Sequence, residues 1–185
     1  AVTRALESKI GEGDDSLAFA PGSFFQFGDV GIHKSSEQGT RAVCWLDGHL
    51  WIANENKSEV KQGILIIDEH GYVTGSVNIR KPIYITYVPE QSPYVWVGTK
   101  RSSSGRFDGM VVAINKDTLK IEKVFKSKAL THPTGMILVD GELYVGDQET
   151  NKVLIFDLET AVQTGEVNVG PSLKGDIELL EISYD

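Results

Sequence analysis

Three times along this chain an apolar run ends in Asp or Asn after the same succession of runs and turns, and that recurrence restricts what the chain can fold into. The anchors are Asp68, Asn115 and Asp157, spaced 47 and 42 residues apart. The clearest copy is His132 to Asp157. There Pro133-Thr134-Gly135 leads into Met136-Ile137-Leu138-Val139, Asp140-Gly141 gives way to Leu143-Tyr144-Val145, and the polar loop Gly146 to Lys152 precedes Val153-Leu154-Ile155-Phe156. An Asp-Gly pair between β-rich runs signals a hairpin, because a two-residue turn needs residues that tolerate positive φ. In the first copy, Ala42 to Ala53 overlays Gly135 to Gly146 without a gap, and Asp47-Gly48 matches Asp140-Gly141. The middle copy runs Ile83 to Val88, Tyr94 to Gly98, Met110 to Asn115 and Leu119 to Val124, with a longer turn in place of Asp-Gly. Trp51, Trp96 and Tyr144 share one position, read as inter-sheet core.

Each copy therefore predicts four strands, the last the most polar: Lys120, Glu122 and Lys123 contrast with Val111-Val112-Ala113-Ile114. A period of ~40–50 residues is that of propeller blades. A lone four-stranded sheet with apolar faces cannot bury them, whereas like sheets packed around an axis can. The fold class expected is all-β: a β-propeller of four-stranded antiparallel blades at about 41–80, 81–128 and 129–170. Residues 1–15 read as a flexible lead-in. Runs in 16–32 and 171–185 read as a fourth blade split between the termini, which would close a four-bladed ring within one domain, 16–185. The competing reading is part of a larger ring.

The total of 185 residues, 41% apolar and 24% charged, suits one globular domain. A formal charge of −8 argues against a protein that grips a nucleic-acid backbone, which would show a basic patch. No apolar run approaches the ~20 residues of a membrane span. Cys44, the single cysteine, lies in an apolar run and reads as a small buried hydrophobe; it permits no intrachain disulfide. With no signal-peptide core in AVTRALESKIGEGDDS, this points to a reducing, cytoplasmic setting.

At His132 to Asp157 the chain resembles the NHL repeat. The residues that carry the resemblance are Pro133-Thr134-Gly135-Met136, Asp140-Gly141, Leu143-Tyr144-Val145, Asp147, Asn151-Lys152-Val153 and Phe156-Asp157. Gly146 departs from the family's preferred Ala, and the middle copy looks more like the related YVTN blade. The resemblance implies a β-propeller whose first strands line the axis. It further implies binding of proteins or RNA through one face, or, in some relatives, an axial metal. A blade motif alone fixes none of these activities.

Candidate chemistry is sparse. His33, His49, His70 and His132 show no zinc-motif spacing, with His49 and His70 in predicted turns. Ser102-Ser103-Ser104-Gly105 reads as a flexible loop and not a nucleophile elbow. Asp147 to Asn151 lacks the alternating carboxylates of a calcium loop, and no phosphate or dinucleotide fingerprint occurs. No cofactor is expected. Asn54, Thr99 and Asp147 end equivalent strands and could converge near the axis, so Asn54 and Asp147 are weak metal candidates. Capping of their own loops is the stronger reading of these residues.

The loops after the second strands vary most, and loops on a rigid repeat are where binding surfaces arise. Asn54 and Asn56 open the first; Lys100, Arg101, Arg106 and Phe107 form a basic patch in the second. The expected function is a non-catalytic scaffold that binds a protein partner through these loops. The alternatives are a propeller hydrolase or lyase with an axial divalent cation, and a structural subunit whose ring is completed by neighbouring chains, as in a homo-oligomer.

Overall fold

Within each repeat the chain forms a four-stranded antiparallel meander, and the turn chemistry sets where each strand stops. A computed structural model describes residues 40–55, 63–89 and 92–169. The lead-in 1–15 and the split blade expected from 16–32 and 171–185 lie outside the described residues, as does Asn56. Sheet A comprises β1 (Thr40–Leu46), β2 (His49–Asn54), β3 (Gly63–Asp68) and β4 (Val73–Val77). Sheet B comprises β5 (Pro82–Tyr87), β6 (Tyr94–Thr99), β7 (Met110–Asn115) and β8 (Ile121–Lys126). Sheet C comprises β9 (Pro133–Val139), β10 (Glu142–Asp147), β11 (Lys152–Asp157) and β12 (Gln163–Asn168). All three sheets keep sequence order across the sheet.

The Asp-Gly hairpins form as the sequence predicts. Asp47 and Gly48 take φ of 46° and 77°, Asp140 and Gly141 take 48° and 84°, and the strands pair directly on either side. The recurring Asp or Asn closes the turn after each third strand. Asp68 Oδ1 accepts from the N–H groups of His70 and Tyr72, Asn115 Oδ1 from those of Asp117 and Thr118, and Asp157 Oδ1 from Thr160. Those bonds favour the ionised carboxylate and hold Asp68 and Asp157 below the usual aspartate range.

Two details correct the sequence reading. The last strand of the middle repeat starts at Ile121 and not at Leu119, because Leu119 turns through φ 58°. In addition, every first strand and every last strand carries a bulge at the same place. The residues passed over are Arg41, Ile83 and Thr134 in the first strands, and Thr74, Glu122 and Thr164 in the last. A bulge adds local twist to its strand.

The sheets pack face to face in chain order. Trp51, Ile64 and Ile66 of sheet A meet Ile85, Val95, Val97 and Val112 of sheet B. On the other side of sheet B, Trp96, Val111 and Phe125 meet Leu143, Val145, Leu154 and Phe156 of sheet C. An aromatic ladder crosses that second interface, with Trp96 and Phe125 tilted at 5.7 Å and Phe125 and Phe156 edge to face at 5.9 Å. β1 lies against β5 and β5 against β9, so the first strands are the ones that converge. Gly98 permits a close approach between sheets B and C: a Cβ there would sit 3.0 Å from the Pro133 ring. Cys44 is half-buried, less than expected, and burial pushes its thiol pKa up. No helix among the described residues is long and apolar enough to cross a membrane.

Candidate functional site

The strand order sends hairpin turns to one end of the molecule and the loops after second strands, with the linkers between sheets, to the other. At the linker end the loop 100–109 is sewn to both neighbouring linkers by its main chain. Lys100 N–H donates to Lys81 O at 2.9 Å, Arg101 N–H to Thr131 O at 2.8 Å, and Gly109 N–H to Leu130 O at 3.1 Å. A Cβ on Gly109 would lie 2.6 Å from that Leu130 oxygen, so the loop returns to its strand where only glycine fits.

The loop closes on itself as well. Ser102 N–H donates to Phe107 O at 3.0 Å, and Ser102 Oγ accepts the Phe107 N–H at 2.9 Å. The serine run expected to be a flexible loop is thus an internally bonded turn, in which Ser102 satisfies backbone groups. This geometry projects Phe107, 38% exposed, with the Arg80 guanidinium 4.2 Å over its ring and that of Arg106 at 5.8 Å. Arg101 Nη2 meets Asp108 Oδ1 at 3.1 Å. Arg80 and Arg106 thus flank Phe107, Arg101 holds the neighbouring Asp108 and the Lys100 charge lies near His132; the sequence reading missed Arg80. Arg80 sits in the linker before β5, some 27 residues from Phe107 in the chain, a separation no local pattern reveals.

The strand-end residues serve a different purpose. Asp147, only 2% exposed, accepts five hydrogen bonds: from Thr131 N–H and His132 N–H on Oδ2, and from Thr131 Oγ1, Thr150 N–H and Thr150 Oγ1 on Oδ1. A carboxylate so engaged is a staple between linker and loop and has little capacity left for a cation. Thr99 Oγ1 accepts the Met110 N–H at 3.2 Å, and Asn54 is buried at the matching place in sheet A. Beside it the buried Glu55 accepts from Arg41 Nε at 2.7 Å. Among the described residues no group of three or more His, Cys, Asp or Glu could hold a metal ion.

His132 lies near this staple. Burial lowers its pKa, the Lys100 charge lowers it further, and Asp147 and Glu149 oppose the shift. At the hairpin end, a cleft of about 350 Å³ between sheets A and B is floored by Leu46, Trp51, Ile66 and Leu119. Lys116 spans its rim, bonded to Asp47 at 3.0 Å and Asp117 at 2.7 Å, and those contacts raise the lysine pKa. His49 and His70 sit in turns at this end: His49 Nδ1 lies 2.9 Å from Asp47 O, and His70 is exposed.

Neither a protein-family model nor a curated protein sequence matches the chain. Among solved structures, Kuenenia stuttgartiensis hydrazine synthase is similar with a TM-score of 0.56 at 15% identity, over 86% of this chain and 42% of that one. The computationally designed Ika8 protein is similar with a TM-score of 0.57 at 12% identity, over 83% of this chain and 41% of that one. At such identities the likeness is one of fold, and the chain spans about two fifths of the length of each.

Proposed function

We propose that the three sheets are consecutive blades of an NHL-type β-propeller and that the chain is a non-catalytic module binding a protein partner at the linker end. Three like meanders whose first strands converge support the propeller reading. The position shared by Trp51, Trp96 and Tyr144 extends it. Trp51 packs toward sheet B and Trp96 toward sheet C, and strand alternation turns Tyr144 away from sheet B. That forward face of sheet C supports a ring that continues past it.

The observation that carries the binding reading is the loop 100–109: a long loop, fixed by main-chain bonds to two linkers, that projects a half-exposed Phe107 between arginines. Arginine beside an aromatic is the composition enriched at interface hot spots, and a pre-ordered loop loses less entropy on binding. A photo-crosslinking amino acid at Ser104 tests this, with the same probe at Thr118 on the hairpin end as control. The expected result is a discrete protein adduct in a lysate of the source organism from Ser104 alone. Arg101→Ala with Arg106→Ala should reduce it at least severalfold and leave the fold intact. No adduct, or equal adducts from both positions, would refute the reading.

A further inference from the structure

The repeat lets the two interfaces between sheets be compared position by position, and near the hairpin end they differ. Lys123 of β8 pairs with Ala113 on the forward face of sheet B. Its ammonium crosses to sheet C and donates to Leu158 O, in the turn after β11. Gly75 of β4 holds the same position in sheet A, where it pairs with Ile66 and follows the bulge directly, as Lys123 does. Lys116, next to the cap Asn115, is the counterpart of Leu158, next to Asp157. By the same register His49 stands for Tyr94, and each interface keeps its tryptophan, Trp51 or Trp96. Between sheets B and C, Tyr94, Leu158 and Ala161 pack on the core, and Lys123 reaches across. Between sheets A and B no side chain leaves position 75, and there the cleft of about 350 Å³ opens. Leu119, larger than its counterpart Ala161, fills part of the space: a Cβ on Gly75 would lie 2.8 Å from its Cδ1.

We propose that this cleft binds a small primary alkylamine, its chain along Leu46, Trp51 and Ile66 and its ammonium at Asp47 and Asp117 on the rim. The ligand takes the place that the stem and ammonium of Lys123 take one interface further on. A cavity of this volume, apolar on its floor with a few polar groups at its edge, has the form of a small-molecule site. Charge decides the class of ligand. Lys116 bonds one oxygen of each carboxylate, Asp47 Oδ2 and Asp117 Oδ1. Two carboxylates against one ammonium leave these rim groups net negative, and each carboxylate keeps a second oxygen. An anion would have to displace a carboxylate from Lys116, whereas an amine meets both second oxygens. A neutral chain gains the floor and not the rim. Alkyl stems bury readily while their charged heads stay in water, so the two halves of the ligand suit the two parts of the cleft. The site lies at the hairpin end, away from the loop 100–109, and does not rest on the partner-binding reading.

The test is an amide NMR titration of the whole chain with n-pentylamine, beside n-pentanol and pentanoate, which share its chain length and not its charge. The amine should bind saturably, in the millimolar range that so few atoms permit, and should move the signals of Gly75, Lys116 and Leu119 most. The alcohol and the acid should bind about fivefold more weakly, since exposed ion pairs are worth little each. Gly75→Lys with Leu119→Ala copies the Lys123–Ala161 pair and should abolish amine binding, because the new side chain occupies the cleft. Asp47→Asn with Asp117→Asn leaves the packing alone; it should weaken the amine about fivefold and leave the alcohol unchanged. Asparagine tolerates the positive φ of position 47, so this second variant keeps its hairpin. No saturable shifts, shifts centred away from the cleft, alcohol or acid bound as tightly as the amine, or amine affinity unchanged by both variants would overturn the proposal.

Discussion

Two residues at the linker end show how single groups hold the site in shape. Asp147 satisfies donors from two segments that would otherwise be buried without partners, and hydrogen bonds to a buried charge are worth more than neutral ones. Asp147→Ala should therefore cost about 3 kcal/mol in urea unfolding, since it strands the Thr131, His132 and Thr150 donors. A loss under about 1 kcal/mol would show that water replaces the carboxylate. His132 gives a pH signature. Its folded pKa lies below the ordinary histidine value because of burial and the Lys100 charge, so across that interval the native state binds fewer protons than the unfolded one. The stability it contributes is present above the unfolded pKa of about 6.5 and is lost as pH falls through the folded value. His132→Gln should flatten the fall in unfolding free energy between about pH 7 and about pH 5; an unchanged slope would assign the effect elsewhere.

Strands and loops divide between what local sequence encodes and what it does not. The hairpins at Asp47-Gly48 and Asp140-Gly141 follow from two residues each and were legible in the chain; Asp68, Asn115 and Asp157 were legible as recurring strand ends, and the structure adds the turns that they cap. The bulges at Arg41, Ile83 and Thr134 share no residue type, so no local pattern announces them. The patch was half legible: the loop's own cations stood out, but Arg80, and the bonds to Lys81, Leu130 and Thr131, come from linkers distant in sequence. Gly109 shows the consequence. Nothing in the local sequence sets it apart from other loop glycines, yet its Cβ position is taken by the Leu130 carbonyl. Gly109→Ala should destabilise by about 1–3 kcal/mol through overpacking. Gly105→Ala, with φ +67° but open space around it, should cost about 1 kcal/mol. Equal costs on denaturant titration would mean that the loop relaxes away from the linker.

For the molecule as a whole, the repeat makes each sheet the cover for the one before it. Trp51 and Trp96 are 3% and 2% exposed because a described sheet lies in front of each, while Tyr144, at the same position, is half-buried with its hydroxyl on Glu142 at 2.9 Å. One position thus samples two environments, and stability should follow the cover and not the residue type. Trp96→Ala should cost about 3–5 kcal/mol, as for large-to-small changes in a packed core. Tyr144→Ala should cost about 1 kcal/mol, the value of partial apolar burial. Urea titrations of both variants check the difference at several protein concentrations. Equal costs would mean that the forward face of sheet C is as well covered in solution as an inter-sheet core. If the Tyr144 cost also grew with protein concentration, the cover would come from a second molecule, because only association makes apparent stability depend on concentration.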